Sequence, residues 1–162
     1  MNPAIVRYYR QLLKDDFPNS GSIENATVFV EAVGEKMVHC GNAGNYMQMY
    51  FNIADGRITE IRYLCSCEPV ANVAIEVLCA LVKNKTLDEA VATPESLFYE
   101  CIGCSGSEDV ELGLKVNGLL ALFKEGVDNY GNQSSEAAEP AAAEKLQWDL
   151  LGSPLTVTGK MK

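Results

Sequence analysis

Positive charge is scarce in this chain. Thirteen Lys and Arg stand against 22 Asp and Glu, the net charge is -9, and no basic run occurs anywhere. Such a surface repels phosphate backbones and anionic headgroups, which argues against nucleic acid and against membrane surfaces as partners. Long apolar runs are missing as well. No stretch reaches the roughly 18 residues of a membrane-crossing helix, and the first residues show no secretory h-region, so a cytoplasmic protein is expected. Histidine occurs once, as His39, which leaves no imidazole to spare for a Cys-His-Asp triad. Phosphate loop, nucleophile elbow, dinucleotide fingerprint and internal repeats are also absent. None of these catalytic signatures is read from the sequence.

The 162 residues are 48% hydrophobic, enough for one domain that buries about two-thirds of its unfolded surface. Six cysteines are present. In a reducing compartment, metal binding or thiol chemistry is a better reading of them than disulfides.

The stretch from Gly41 to Cys67 organises the rest. Met47, Met49 and Phe51 alternate with Gln48, Tyr50 and Asn52, and Thr59, Ile61, Tyr63 and Cys65 alternate with Glu60, Arg62 and Leu64, the pattern of a β-hairpin. A two-residue Asp55-Gly56 turn would set Phe51 against Glu60 and mix the faces. A three-residue Ala54-Asp55-Gly56 loop pairs Phe51 with Thr59, Met49 with Ile61 and Met47 with Tyr63, and keeps one apolar face. Continued outward, that register sets Asn45 across from Cys65 and Ala43 across from Cys67, beside the Gly/Asn-rich loop that holds His39 and Cys40.

Around the hairpin, Pro3 to Lys14 reads as a helix with Ile5, Tyr8, Tyr9, Leu12 and Leu13 on one side. Thr27 to Val33 reads as a strand buried on both faces, and Lys36-Met37-Val38 as a short lead into the loop. Pro69 suits the first position of a helix carrying Val70, Val73, Ala74, Val77, Leu78 and Leu81. Thr86-Leu87-Asp88-Glu89 is a capping box, and Thr93-Pro94 opens a turn. Ser105-Gly106-Ser107 is expected to cap a long helix from about Glu108 to Tyr130. Residues 131–145, rich in Gly, Asn, Gln, Ser, Ala, Glu and Pro, read as a flexible linker between a domain at 1–130 and a tail at 146–162. In that tail Leu155 to Thr158 could form a short strand. The expected class is α+β: a three-stranded, mostly antiparallel sheet covered on one face by helices.

Chemistry falls to the cysteines. Cys67 closes a strand just before Pro69 opens a helix, and Cys104 precedes the long helix; a helix N-terminus favours the thiolate that binds metal or attacks sulfur. Cys40 sits in the glycine-rich loop. The alternative is that these thiols are small buried hydrophobes, and Cys79, among Leu78, Ala80 and Leu81, is assigned to the core on that ground. Cys65 shares the Met/Phe/Ile face. Cys101-x-x-Cys104 has metal-like spacing but lacks a partner pair.

At these residues the sequence resembles the iron–sulfur cluster assembly scaffolds of the NifU/IscU type. The resemblance runs from about Tyr8 to Tyr130. It is strongest from Gly44-Asn45-Tyr46-Met47 through Asp55-Gly56-Arg57-Ile58, in Lys83-x-Lys85-Thr86-Leu87-Asp88-Glu89-Ala90, and in Cys104-Ser105. It implies a cluster or iron held by three cysteines, a cysteine desulfurase as sulfur donor, and apo-proteins as recipients. The first cysteine of the family falls on Ala43, its neighbouring Asp on Asn45, its second cysteine on Cys67 and its third on Cys104. The histidine that usually precedes the third cysteine is Gly103, and the chaperone motif Leu-Pro-Pro-Val-Lys is absent. Cys40, Cys65 and Cys101 are extra thiols. The expected ligands are Cys40, Cys67 and Cys104, with Cys65, Cys101 and His39 in reserve. Two other readings are a degenerate scaffold that binds partners without a cluster, and a zinc site built from Cys40, Cys67, Cys104 and His39.

Overall fold

The computed structural model of the protein describes residues 1–33, 44–66, 69–105 and 109–150, with side chains through 135. Its elements run α1 (Pro3–Lys14), β1 (Val28–Val33), β2 (Tyr46–Ala54), β3 (Arg57–Cys65), α2 (Pro69–Val82), α3 (Leu87–Val91), α4 (Glu95–Ile102) and α5 (Val110–Leu150). The strands form an antiparallel sheet in the order β1-β2-β3, so the expected α+β class is the observed one. The expected segment Lys36-Met37-Val38 and strand Leu155 to Thr158 lie outside the described residues.

The chain divides into two compact units, Met1–Asp128 and Asn129–Lys162. In the first, the core lies between the sheet and its helices. Met47, Met49, Phe51, Ile58, Ile61 and Tyr63 come from the strands, and ten residues of α2 are buried. α5 reaches the sheet through Gly126, where an added Cβ would stand 2.8 Å from Val30 Cγ1 and 3.4 Å from Phe51 Cζ. Glycine is the residue that allows this approach. One turn earlier Phe123 packs on Phe51, ring centroids 5.4 Å apart.

The hairpin differs from expectation in a way that preserves its faces. Its turn has two residues, with Ala54 opposite Arg57, and Asp55 and Gly56 both take positive φ (52° and 70°). This is the type I′ turn whose twist matches the flanking strands. The mixing of faces is then undone by a β-bulge: Ile53 pairs with Ile58 but Asn52 with Glu60, leaving Thr59 as the extra residue. Ile58 and Ile61 thereby point the same way, both buried. The Thr59 hydroxyl donates to the Asn52 carbonyl at 3.3 Å. Beyond the bulge Phe51 faces Ile61, Met49 faces Tyr63 and Met47 faces Cys65. The register therefore differs by two residues from the three-residue-loop reading, and Asn45 is not Cys65's partner.

β1 is buried on one face, not both: its pattern alternates strictly, and Phe29 and Val33 are about half exposed. Phe29 lies against Tyr50 on that open face, centroids 5.1 Å apart. No described element covers it.

α5 also departs from expectation at both ends. The Asp109 Oδ1 accepts from the Leu112 N–H at 3.0 Å and caps its start, while Gly106 and Ser107 of the expected cap lie outside the described residues. At the other end the helical backbone does not stop near Tyr130 but continues through the expected linker to Leu150. The Ala, Glu and Gln of that stretch are good helix formers, and Ser134 and Ser135 turn their hydroxyls back onto the carbonyls of Tyr130 and Gly131, both at 2.9 Å.

Candidate functional site

Cys104 owes its position to the way α4 ends. Gly103 takes the left-handed conformation (φ 79°), its N–H donates to the Glu100 carbonyl at 3.2 Å, and the Cys104 N–H donates to the Tyr99 carbonyl at 3.0 Å. This pair of bonds is a Schellman motif, which glycine stabilises because it has no Cβ to strain. The chain therefore turns sharply, leaving Cys104 half-buried just past the helix and Cys101 exposed in its last turn. Burial first, then Glu95, Cys104 and Asp109, pushes the Tyr99 phenol's pKa up.

Cys65 ends β3 half-buried. Next to it the hairpin closes through Ser66, which donates its N–H to the Tyr46 carbonyl at 3.1 Å and accepts from the Tyr46 N–H on Oγ at 2.9 Å. Asn45 precedes this pair, half-buried. Cys79 is fully buried, and burial followed by the charge of Glu76 pushes its thiol pKa well up. It is a core residue, as its neighbours in sequence suggested. Cys40, Cys67, His39 and Ala43 lie outside the described residues, as does the expected neighbouring of Ala43 and Cys67. Among the described residues no three Cys, His, Asp or Glu side chains converge as a metal site.

Two residues near these thiols escaped the sequence reading. Glu76 is 2% exposed in α2. Its carboxylate accepts from the Tyr63 hydroxyl at 3.1 Å, from the Asn19 N–H at 3.2 Å and from Asn19 Nδ2 at 2.7 Å. Buried carboxylates demand such donors. This one ties α2, β3 and the loop after α1 together, while Ser20 and Gly21 lie along β3 at Tyr63. Tyr63's pKa is raised, by burial and then by Glu76. The signal in the sequence was the one charged residue of α2. The second residue is Arg7, whose Nη2 stands 3.4 Å from where a Cβ on Gly103 would be. Its neighbour Tyr8 is held up in pKa by burial, then by Cys101 and Glu76. α1 thus faces the end of α4.

Comparison with known structures places this architecture. The chain is similar to a protein assigned as an iron–sulfur cluster assembly scaffold for the SUF system of Fervidobacterium islandicum AW-1, with TM-score 0.53, 15% identity, and coverage of 78% of this chain and 96% of the other. It is similar to the N-terminal part of a nitrogen-fixing NifU-like protein from Brucella abortus, with TM-score 0.58, 12% identity, and coverage of 81% and 94%. The fold is that of the NifU-type scaffolds. A crystal structure described only as a hypothetical protein also shares it, at TM-score 0.55 and 14% identity over 75% of this chain and 98% of the other. No protein-family profile matches this chain, and no curated sequence does. At these identities the agreement concerns the fold.

Proposed function

We propose that this NifU-like protein is a divergent iron–sulfur cluster assembly scaffold or carrier, which takes iron and sulfide on cysteine thiolates and passes them on without catalysing a reaction of its own. The observation that supports the reading is Cys104, left half-buried just past α4 by the Gly103 turn, in the fold of NifU-type scaffolds. Soft thiolates suit iron–sulfur clusters. Because the described residues alone do not assemble a ligand set, Cys104 needs the loop cysteines. The set we propose is Cys40, Cys67 and Cys104, with Cys65, Cys101 and His39 as neighbours that could substitute. A cysteine desulfurase would supply the sulfur, apo-proteins in the cytoplasm would receive the cluster, and residues 131–162 would be an appendage to the cluster-binding domain.

Anaerobic purification followed by iron, sulfide and zinc analysis tests this. Brown protein holding iron and sulfide is expected. Cys40→Ala should abolish the cluster absorbance after reconstitution, whereas Cys79→Ala should leave it unchanged. Colourless wild-type protein that takes up neither iron nor sulfide would sink the reading and favour a partner-binding module without metal.

A further inference from the structure

We infer that Arg7 supplies the positive charge that holds the anionic cargo against Cys104. The inference rests on the cluster-binding reading above and extends it to a residue on a different element. α1 is a rigid support. Asn2 caps it, its Oδ1 accepting from the Ala4 N–H at 2.9 Å, and Ala4, Ile5 and Leu12 are buried beneath it. Arg7 lies on the exposed side of that helix, and its Nη2 is 3.4 Å from the Cβ position of Gly103, the residue before Cys104. That α1 packs against α4, the helix that carries Cys101, is a second sign.

Arg7 forms no hydrogen bond or ion pair with the described residues. Its guanidinium offers five N–H donors in a rigid fork beside Gly103, the residue before Cys104, with no partner among the described residues. Iron and sulfide bound by several thiolates carry net negative charge, and a cation beside them offsets it through charge-assisted hydrogen bonds to sulfur. Gly103 contributes no side chain to this task, and any it carried would meet the guanidinium and strain a left-handed backbone. The corner is thus built with the charge on α1 and the thiol after α4. A competing role is purely structural: a cation near the carbonyl end of α4 also favours that helix.

The full chain, reconstituted anaerobically with ferrous iron and sulfide, separates the two. Wild type, Arg7→Gln, Arg7→Lys and Arg10→Gln are compared by iron and sulfide content, by the rate at which a ferrous chelator bleaches the absorbance, and by melting of the cluster-free protein. Arg10 is exposed on the same helix and controls for general charge. Arg7→Gln should load but bleach about tenfold faster than wild type, as expected for loss of a charged hydrogen bond. Arg7→Lys should fall between them, Arg10→Gln should match wild type, and all should melt together. Equal bleaching of Arg7→Gln and wild type overturns the inference, as does equal acceleration by Arg10→Gln. A lowered melting temperature with unchanged bleaching shows that Arg7 only supports α4. Wild-type protein that never loads removes the cluster reading itself, and this inference with it.

Discussion

Between Thr86 and Cys104 almost every turn of the chain is settled by residues close in sequence, whereas in the β2–β3 hairpin the decisive feature is settled by residues far away. The first region opens with a reciprocal capping box, Glu89 N–H to Thr86 Oγ1 at 3.2 Å and Thr86 N–H to Glu89 Oε2 at 2.9 Å. It closes with the Schellman turn at Gly103. Both are short-range bonds that a few residues can form by themselves. The hairpin also has a local signal, Asp55-Gly56, and the turn obeys it. The turn alone would expose half the apolar residues, and only the extra residue Thr59 restores their common face. A bulge has no strong local signature; it is stabilised by what Ile58, Ile61 and Tyr63 bury against the rest of the core. A site placed by local bonds can thus be read early, while one placed by a sheet's register waits for the fold.

The sharpest way to break this contrast is to delete Thr59. Removing the extra residue should turn Ile61 and Tyr63 to the wrong face, and the protein should lose cooperative unfolding in circular dichroism; a well-folded deletion variant would show that the bulge does not govern the faces. Next in size is Gly126→Val, again in the long-range category. Its side chain would collide with Val30 and Phe51, and a loss of about 3 kcal/mol in urea unfolding is expected for such overpacking. On the local side, Gly103→Ala places a Cβ on a left-handed residue. It should cost about 1 kcal/mol by the same measurement.

Smaller still is the charge of the capping box. The Glu89 pKa is lowered below its ordinary 4.5 by its hydrogen bonds with Thr86, the backbone bond first. A carboxylate depressed in the folded state stabilises above its unfolded pKa, and loses that contribution as pH falls through the folded value. Glu89→Gln, which keeps the cap's shape, should therefore melt slightly below wild type at neutral pH and together with it in strong acid. A gap that persists or widens in acid would contradict the sign. The smallest effect is expected from truncation after Tyr130. The first compact unit ends at Asp128, so the melting temperature should hold, and limited proteolysis should trim the chain in the same region. A marked loss of stability would show that later residues belong to the domain core.

The sequence by itself determined the class of fold, the helices α1 and α2 with Pro69 at the latter's start, the capping box, the turn residues, and the core role of Cys79. Each follows from apolar periodicity or a bond spanning a few residues. It also placed Cys104 ahead of the long helix, whereas α4, which positions that thiol, carries no signal in the sequence beyond the Thr93-Pro94 turn. Tertiary structure decided the rest. The Thr59 bulge, the single buried face of β1, the contact of Gly126 with the sheet, Glu76 joined to Asn19 and Tyr63, and Arg7 beside Gly103 all join residues distant in the chain. The course of α5 past Tyr130 is a different case. There polar composition suggested a linker, yet the backbone runs on as a helix through Ala- and Glu-rich segments on either side of Pro140. Periodicity shows which face of an element is apolar. Which partner covers that face, and which polar groups are trapped with it, is decided only when every element competes for the same core.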